Sequence, residues 1–351
     1  MQKYELEPYL VDLESRIDDA GEAELYEQWR LFATGDFHGQ LFAPQRQSKS
    51  APGIEWPRIF VNDALDSIEA MTLQQLGACS AQLAGGGGGL MSVRSNYGSP
   101  IVPSIFGPEL FRMEYDLDTL PCSHALSREA LECAVARGVP DLHAGLGGAV
   151  FTAGQWFRDL FAGYPKIARH VHIYHPDTQG PMDICEMLRG STIFEDAYDD
   201  PQFVHALLNL ATDTLIAFLR EWYDIIPPQT DGCAVHWGML HGGTVMLRDD
   251  SAMNFSGAMF EEFIEPYDRR VLDAFGGGAL HFCGRGDHYI ARAASMPGAL
   301  AFNMAQPHLN NVESVLQATV DHDIQLIGYN GAAARSLVEA GRDLHGNVHV
   351  W

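Results

Sequence analysis

The stretch Leu280-His281-Phe282-Cys283-Gly284-Arg285-Gly286 places two soft metal donors two residues apart. Side chains in a strand alternate faces, so His281 and Cys283 point one way while Leu280 and Phe282 point the other. An imidazole and a thiolate on one face make half of a zinc site, because Zn²⁺ favours nitrogen and sulfur donors. The plain alternative is a buried cysteine beside a hydrogen-bonded histidine, since free cysteine is among the most buried residue types.

Other polar residues gather where apolar runs end. They are Arg94 with Asn96 and Tyr97; His175, Asp177 and Gln179; His236 and Trp237; Asp249 and Asp250; His281 and Cys283; Asn303 and Gln306; Tyr329 and Asn330. Taken singly, each reads as a loop or turn residue, and Asp177 or Asp250 would serve to satisfy backbone amides. Together they mark the same end of seven strand candidates, which is where a (β/α)₈ barrel assembles its active site.

The elements that must position them alternate. The patterning predicts strands over Leu90–Val93, Val171–His175, Cys233–His236, Val245–Leu247, Ala279–Cys283, Leu300–Asn303 and Gln325–Tyr329. Between and after them it predicts helices over Arg128–Arg137, Ala149–Ala162, Pro201–Trp222, Gly257–Phe275, Asp287–Ala294, Val312–Asp321 and Ala332–Ala340. Asp200 followed by Pro201 is a helix start, Ser256 is placed to cap the next helix, and Gly276–Gly278 to end it. Strand–helix units without hairpin signals require crossovers and so a parallel sheet. At this length a (β/α)₈ TIM barrel leads, and a doubly wound open sheet is second. Residues 1–55 read as an N-terminal helical extension and linker, with a helix over Glu22–Phe32, and residues 56–351 as the barrel. A second helix is expected from Asp63, as N-cap, to Ala84. The glycines Gly85–Gly89 follow that helix rather than a strand, which fits a flexible connection better than a phosphate loop.

The chain of 351 residues is 46% hydrophobic and 19% charged, with a formal net charge of −24. That charge disfavours nucleic acid and anionic membrane surfaces as partners, since phosphate binding needs basic patches. No apolar run approaches the roughly 20 residues that span a bilayer, and the N-terminus carries no basic-then-apolar signal. Six scattered cysteines without a CxxC suggest free thiols in a reducing compartment, hence a cytoplasmic protein.

Several stretches resemble the uroporphyrinogen decarboxylase-like superfamily, which includes the tetrapyrrole decarboxylase and the corrinoid-linked zinc methyltransferases. They are Pro103-Ser104-Ile105-Phe106-Gly107; Asp177-Thr178-Gln179-Gly180-Pro181-Met182-Asp183-Ile184 with Leu188-Arg189-Gly190; Asp250-Ser251-Ala252 with Ser256 and Phe263-Ile264-Glu265-Pro266-Tyr267; and His281-Phe282-Cys283-Gly284. The resemblance implies a (β/α)₈ barrel. It departs from the decarboxylase in two places. No arginine-rich signature precedes residue 60, and Arg94-Ser95-Asn96-Tyr97-Gly98 holds no carboxylate where that enzyme has an essential acid. The methyltransferases add a later cysteine to the His-x-Cys pair. This chain has none after Cys283, and their Gly-Cys step falls near Gly328-Tyr329. A third zinc ligand would have to come from another group, such as His236, His241 or Asp250.

Three functions follow as expectations. The first is a metal-assisted methyltransferase with metal at His281 and Cys283, acting on a small molecule or on a methyl group carried by a corrinoid protein. Asp177, His236 and Asp250 would be its catalytic groups, and Arg94, Asn96, Tyr97, His175, Gln179, Trp237, Asn303 and Tyr329 would bind substrate. The second is a lyase that decarboxylates uroporphyrinogen or another acidic small molecule, with Arg94 on a carboxylate. The third is an inactive tetrapyrrole- or corrinoid-binding protein. A homodimer is the default assembly.

Overall fold

The computed structural model describes residues 4–351. Its central element is a five-stranded parallel sheet in the order Val348–Val350, Gln325–Tyr329, Ala299–Met304, Gly278–Phe282, Val245–Arg248. A separate parallel pair joins Ser92–Val93 to His172–Ile173. Phe42 bridges His349 in parallel, which extends the sheet beyond its first edge. At the other edge two single bonds reach across to the segment that follows His172–Ile173. The Met246 N–H donates to His175 Nε2 at 3.0 Å, and the Gly180 N–H to the Arg248 carbonyl at 2.8 Å. Gly180 is required there, since a Cβ would collide with Asp249. Among the described residues these pieces do not join into one continuous ladder.

Register sets two layers on one face of the sheet. Arg248 pairs with His281 and His281 with Asn303, so these three side chains form a row across adjacent strands. Two residues earlier, Met246, Ala279 and Ala301 form an apolar row on the same face. The apolar row is covered by an antiparallel hairpin, Cys233–His236 with Met239–Gly242, and by the helix Asp19–Ala33. Trp29, Phe32, Val235 and Leu240 belong to this cluster, and burial of each large side chain contributes about 1.5–3 kcal/mol. The polar row is thereby left as the floor of a site. On the opposite face Leu280, Phe282, Phe302 and Leu326 enter the main core with the surrounding helices. Leu10 and Leu13 of the helix Glu7–Arg16, and Ile17 just after it, belong to that same core.

The hairpin contradicts the expectation of strand–helix units throughout. Its two-residue turn is Trp237-Gly238, with φ of 51° and 77°, the left-handed pair of a type I′ turn. Asparagine or glycine usually announces that turn, and a tryptophan in its first position hides it.

Helix boundaries follow local chemistry. Asp200 accepts from the Phe203 amide and Ser256 from that of Met259, as capping predicts. The expected helix from Asp63 is two, Val61–Asp66 and Ile68–Gly85, and the second is capped by Ser67 rather than Asp63. Gly257–Phe275 is also two helices, broken at Ile264 ahead of Pro266. Proline has no N–H to continue the first and is well placed in the opening turn of the second. The glycine run is packed rather than loose. Its Gly88 leaves no room for a Cβ against Pro44, and its carbonyl accepts from Trp29 Nε1 at 2.8 Å. One helix among the described residues, Pro201–Ile225, is long and apolar enough by length and composition to cross a bilayer. Its apolar residues are interrupted by His205, Asn209 and Asp213, and Leu207, Leu215, Phe218 and Trp222 lie buried in the core.

Candidate metal centre

Three donors converge above the polar row. Asp250, His281 and Cys283 each offer a ligand atom within 4.8 Å of the others. His281 Nε2 lies 3.5 Å from Cys283 Sγ and 3.6 Å from Asp250 Oδ1. Around a tetrahedral zinc with ordinary bond lengths, the N–S edge is about 3.5 Å and the N–O edge about 3.3 Å. The donor set and its spacing therefore fit Zn²⁺. Of the three candidates for a third ligand, Asp250 is the one in place. His236 and His241 lie outside this cluster and are bonded to each other, with His236 Nδ1 2.8 Å from His241 Nε2.

Each donor is held from behind. His281 Nδ1 lies 2.6 Å from Asn303 Oδ1, and Asn303 Nδ2 donates to the Ile327 carbonyl at 2.7 Å. The second bond fixes which end of the amide faces the imidazole, so Nδ1 carries the proton and Nε2 presents its lone pair. Asp250 is set by Asp183, whose carboxylate accepts from the backbone amides of Asp250 and Ser251 at 3.0 and 2.8 Å. The Cys283 amide donates to Asp250 Oδ1 at 2.7 Å, and the Gly284 amide to Gln306 Oε1 at 2.6 Å.

Electrostatics set the protonation states. Burial lowers the His281 pKa below its ordinary value, against the opposing bond to Asn303 and the nearby Asp250. The imidazole is a neutral ligand at pH 7. Burial and then Asp250 push the Cys283 thiol up to about 12, so without a cation it keeps its proton. Beneath the Asp250 loop, burial also raises Asp183, to about 7, and Asp249 and Asp268 well above the carboxylate range. No side-chain oxygen of Asp249 or Asp268 has a hydrogen-bond partner among the described residues.

Beside the donors lies a charged group. Arg248 Nε is 2.8 Å from Asp177 Oδ1, and Arg94 Nη1 is 3.3 Å from Asp177 Oδ2. Burial would raise the Asp177 pKa, but Arg248 and then Arg94 outweigh it and hold the carboxylate ionised. Gln179 Nε2 donates to the same carboxylate at 2.6 Å, and Arg94 Nε to Asn96 Oδ1 at 3.0 Å. Arg248 is 2% exposed, its Nη2 has no partner among the described residues, and its guanidinium lies 4.8 Å from the Trp237 ring centroid. Trp237 in turn meets the His281 ring edge-on at 5.1 Å. A bulky residue in a left-handed turn costs about 1–2 kcal/mol, and these two contacts are what it gains.

The fold thus gathers Arg94, Asn96, Asp177, Gln179, Trp237, Asp250, His281, Cys283 and Asn303 into one neighbourhood. His175 is occupied as a strand bridge, with Nε2 on Met246 and Nδ1 2.8 Å from the Pro176 carbonyl. Tyr97 and Tyr329 are buried with the apolar core. Arg248 escaped the sequence reading. An arginine ending the otherwise apolar run Val245–Leu247 was its available signal.

No family model matches the chain, and no curated protein matches it. A solved structure of a methyltransferase from Methanosarcina mazei shares its fold, with a TM-score of 0.64 over 93% of this chain and 91% of that one, at 15% identity.

Proposed function

We propose that this chain is a metal-assisted methyltransferase of uroporphyrinogen decarboxylase-like type. In this reading the parallel strands are arcs of one (β/α)₈ barrel, with its site at their C-terminal ends. The observation that carries the proposal is the convergence of Asp250, His281 and Cys283, with the His281 lone pair fixed by Asn303. Zinc held by these three would leave an open position, and when bound it supplies Lewis acidity that lowers the pKa of a substrate thiol or polarises an ether oxygen. The remaining work falls to the chain. Arg248 and Arg94 bind an acidic group of the substrate, Asp177 holds both guanidinium groups in place, and Trp237 covers the His281 ring and limits water. The methyl donor or acceptor is a corrinoid on a separate protein, as the resemblance implies. A cytoplasmic homodimer is the assembly and location we assign.

The experiment supplies zinc-loaded protein with methylcobalamin and a panel of small neutral and carboxylated thiols, and follows the cobalamin absorbance. Demethylation that fails in His281→Ala supports the proposal. Release of carbon dioxide from uroporphyrinogen, without demethylation of methylcobalamin, would replace it with the lyase reading. That second reading has the buried Arg248 and its free Nη2 in its favour.

A further inference from the structure

Among the described residues the Cys283 thiol bonds only to the other two donors, lying 3.5 Å from His281 Nε2 and beside Asp250. Its place is therefore set by the backbone that carries it and runs on as Gly284-Arg285-Gly286-Asp287. That backbone turns sharply. Gly284 has a φ of 73°, and a Cβ there would meet Met253 Sδ at 2.5 Å. A Cβ on Gly286 would meet the Phe282 ring at 2.5 Å. A turn built on two glycines has little stiffness of its own.

One side chain supplies the missing stiffness. Asn310 lies in the connection that follows the strand Ala299–Met304. Its Oδ1 accepts from the amides of Gly286 and Asp287 at 2.7 and 3.0 Å. Its Nδ2 donates to the carbonyls of Gly284 and Gln306, at 2.9 Å each. Both lone pairs and both hydrogens of the side-chain amide are thereby used. The connection is held in return, because Asp287 Oδ2 accepts from the Asn311 amide at 2.8 Å. Gln306 Oε1 takes the Gly284 amide at 2.6 Å, and the Phe282 carbonyl accepts from the Ala305 amide at 3.1 Å. One segment thus stands behind two ligands. Asn303 holds the His281 ring from the strand, and Gln306 and Asn310 hold the backbone after Cys283 from the turn beyond it.

We infer that Asn310 is a positioning residue for the metal centre, which fixes the turn after Cys283 so that the thiol meets the same ion as His281 and Asp250. The inference rests on the reading of those three residues as metal ligands. Loss of such a support costs about 10–100-fold in metal affinity. Cobalt(II) binding to the metal-free full chain tests it, because a cobalt–thiolate bond gives a near-ultraviolet charge-transfer band that nitrogen and oxygen donors do not. The parent is expected to show that band. Asn310→Ala should bind cobalt about 10–100-fold more weakly and lose at least half of the band at saturation, while the visible bands of cobalt on His281 and Asp250 persist. Gln306→Ala, which removes the partner of the Gly284 amide, should change in the same direction and decides the matter where Asn310→Ala fails to fold. Asn311→Ala controls for a merely structural role. It removes the cap of the helix Val312–Ala318, where Asn311 Oδ1 accepts from the Ser314 amide at 3.2 Å, and leaves the bonds of the turn in place. This variant should melt earlier and keep the parental band. Parental band and affinity in the folded Asn310 and Gln306 variants overturn the inference and leave the metal centre standing. A band reduced equally in Asn311→Ala overturns the positioning role. A parent that binds no cobalt, or binds it without the band, overturns the metal reading and the inference with it.

Discussion

Replacing Asn303 by leucine isolates the support behind His281 from the ligands themselves. Asn303 touches no proposed metal position; it holds His281 Nδ1 at 2.6 Å and is itself held by the Ile327 carbonyl at 2.7 Å. Leucine of similar size removes both bonds. The imidazole can then turn or move its proton to Nε2, and either change removes a donor from the site. Loss of such a partner typically costs 10–100-fold in metal affinity, about 1.4–2.7 kcal/mol. Zinc affinity by chelator competition should therefore fall by that factor. Asn303→Asp keeps an acceptor on Nδ1 and should retain affinity within a few-fold, although it loses the bond to Ile327. Stability of the metal-free variants, by urea denaturation, separates this effect from unfolding. Equal zinc affinity in the leucine variant and the parent would refute the reasoning, and so would equal losses in both variants.

Zinc affinity should rise tenfold per pH unit between about pH 6.5 and 8.5, because one proton must leave Cys283, whose thiol is pushed up to about 12, while His281 is already neutral. Competition titrations at three pH values check this, and a flat profile would contradict it. Trp237→Asn places the residue favoured by a type I′ turn where a tryptophan is strained. The variant should match or exceed the parent in urea stability, whereas a loss above about 2 kcal/mol would show that Trp237 is retained for packing. Asp268→Asn should stabilise the chain more at pH 8 than at pH 5. The folded-state pKa of Asp268 is raised, so the folded state binds the extra proton, and stability is lost as pH climbs above the unfolded value near 3.9. Melting curves at the two pH values measure the difference, and equal destabilisation at both would contradict it.

His281 and Cys283 were legible because a strand has a period of two, and a short apolar run with one polar face announces itself. Capping at Asp200 and Ser256 was legible for the same reason, since the chemistry is confined to three residues. What lay beyond was set through space. Asp250 could be named only as one of three candidate ligands, because its selection depends on the Asp183 carboxylate 67 residues earlier. Asn303 was read as a substrate contact, but register pairs it with His281, which turns it into a support. The hairpin was hidden by Trp237, a residue whose backbone state follows from its neighbours Arg248 and His281 rather than from local preference. Arg248 was lost in an apolar run whose end could not be set to one residue.

The most direct measurement is elemental analysis of the purified full chain grown with zinc, alongside Cys283→Ser and His281→Ala. One zinc per chain in the parent, falling at least tenfold in both variants, is the expected result. A folded parent free of metal, or zinc retained equally in all three, would contradict the assignment of Asp250, His281 and Cys283 as a metal centre.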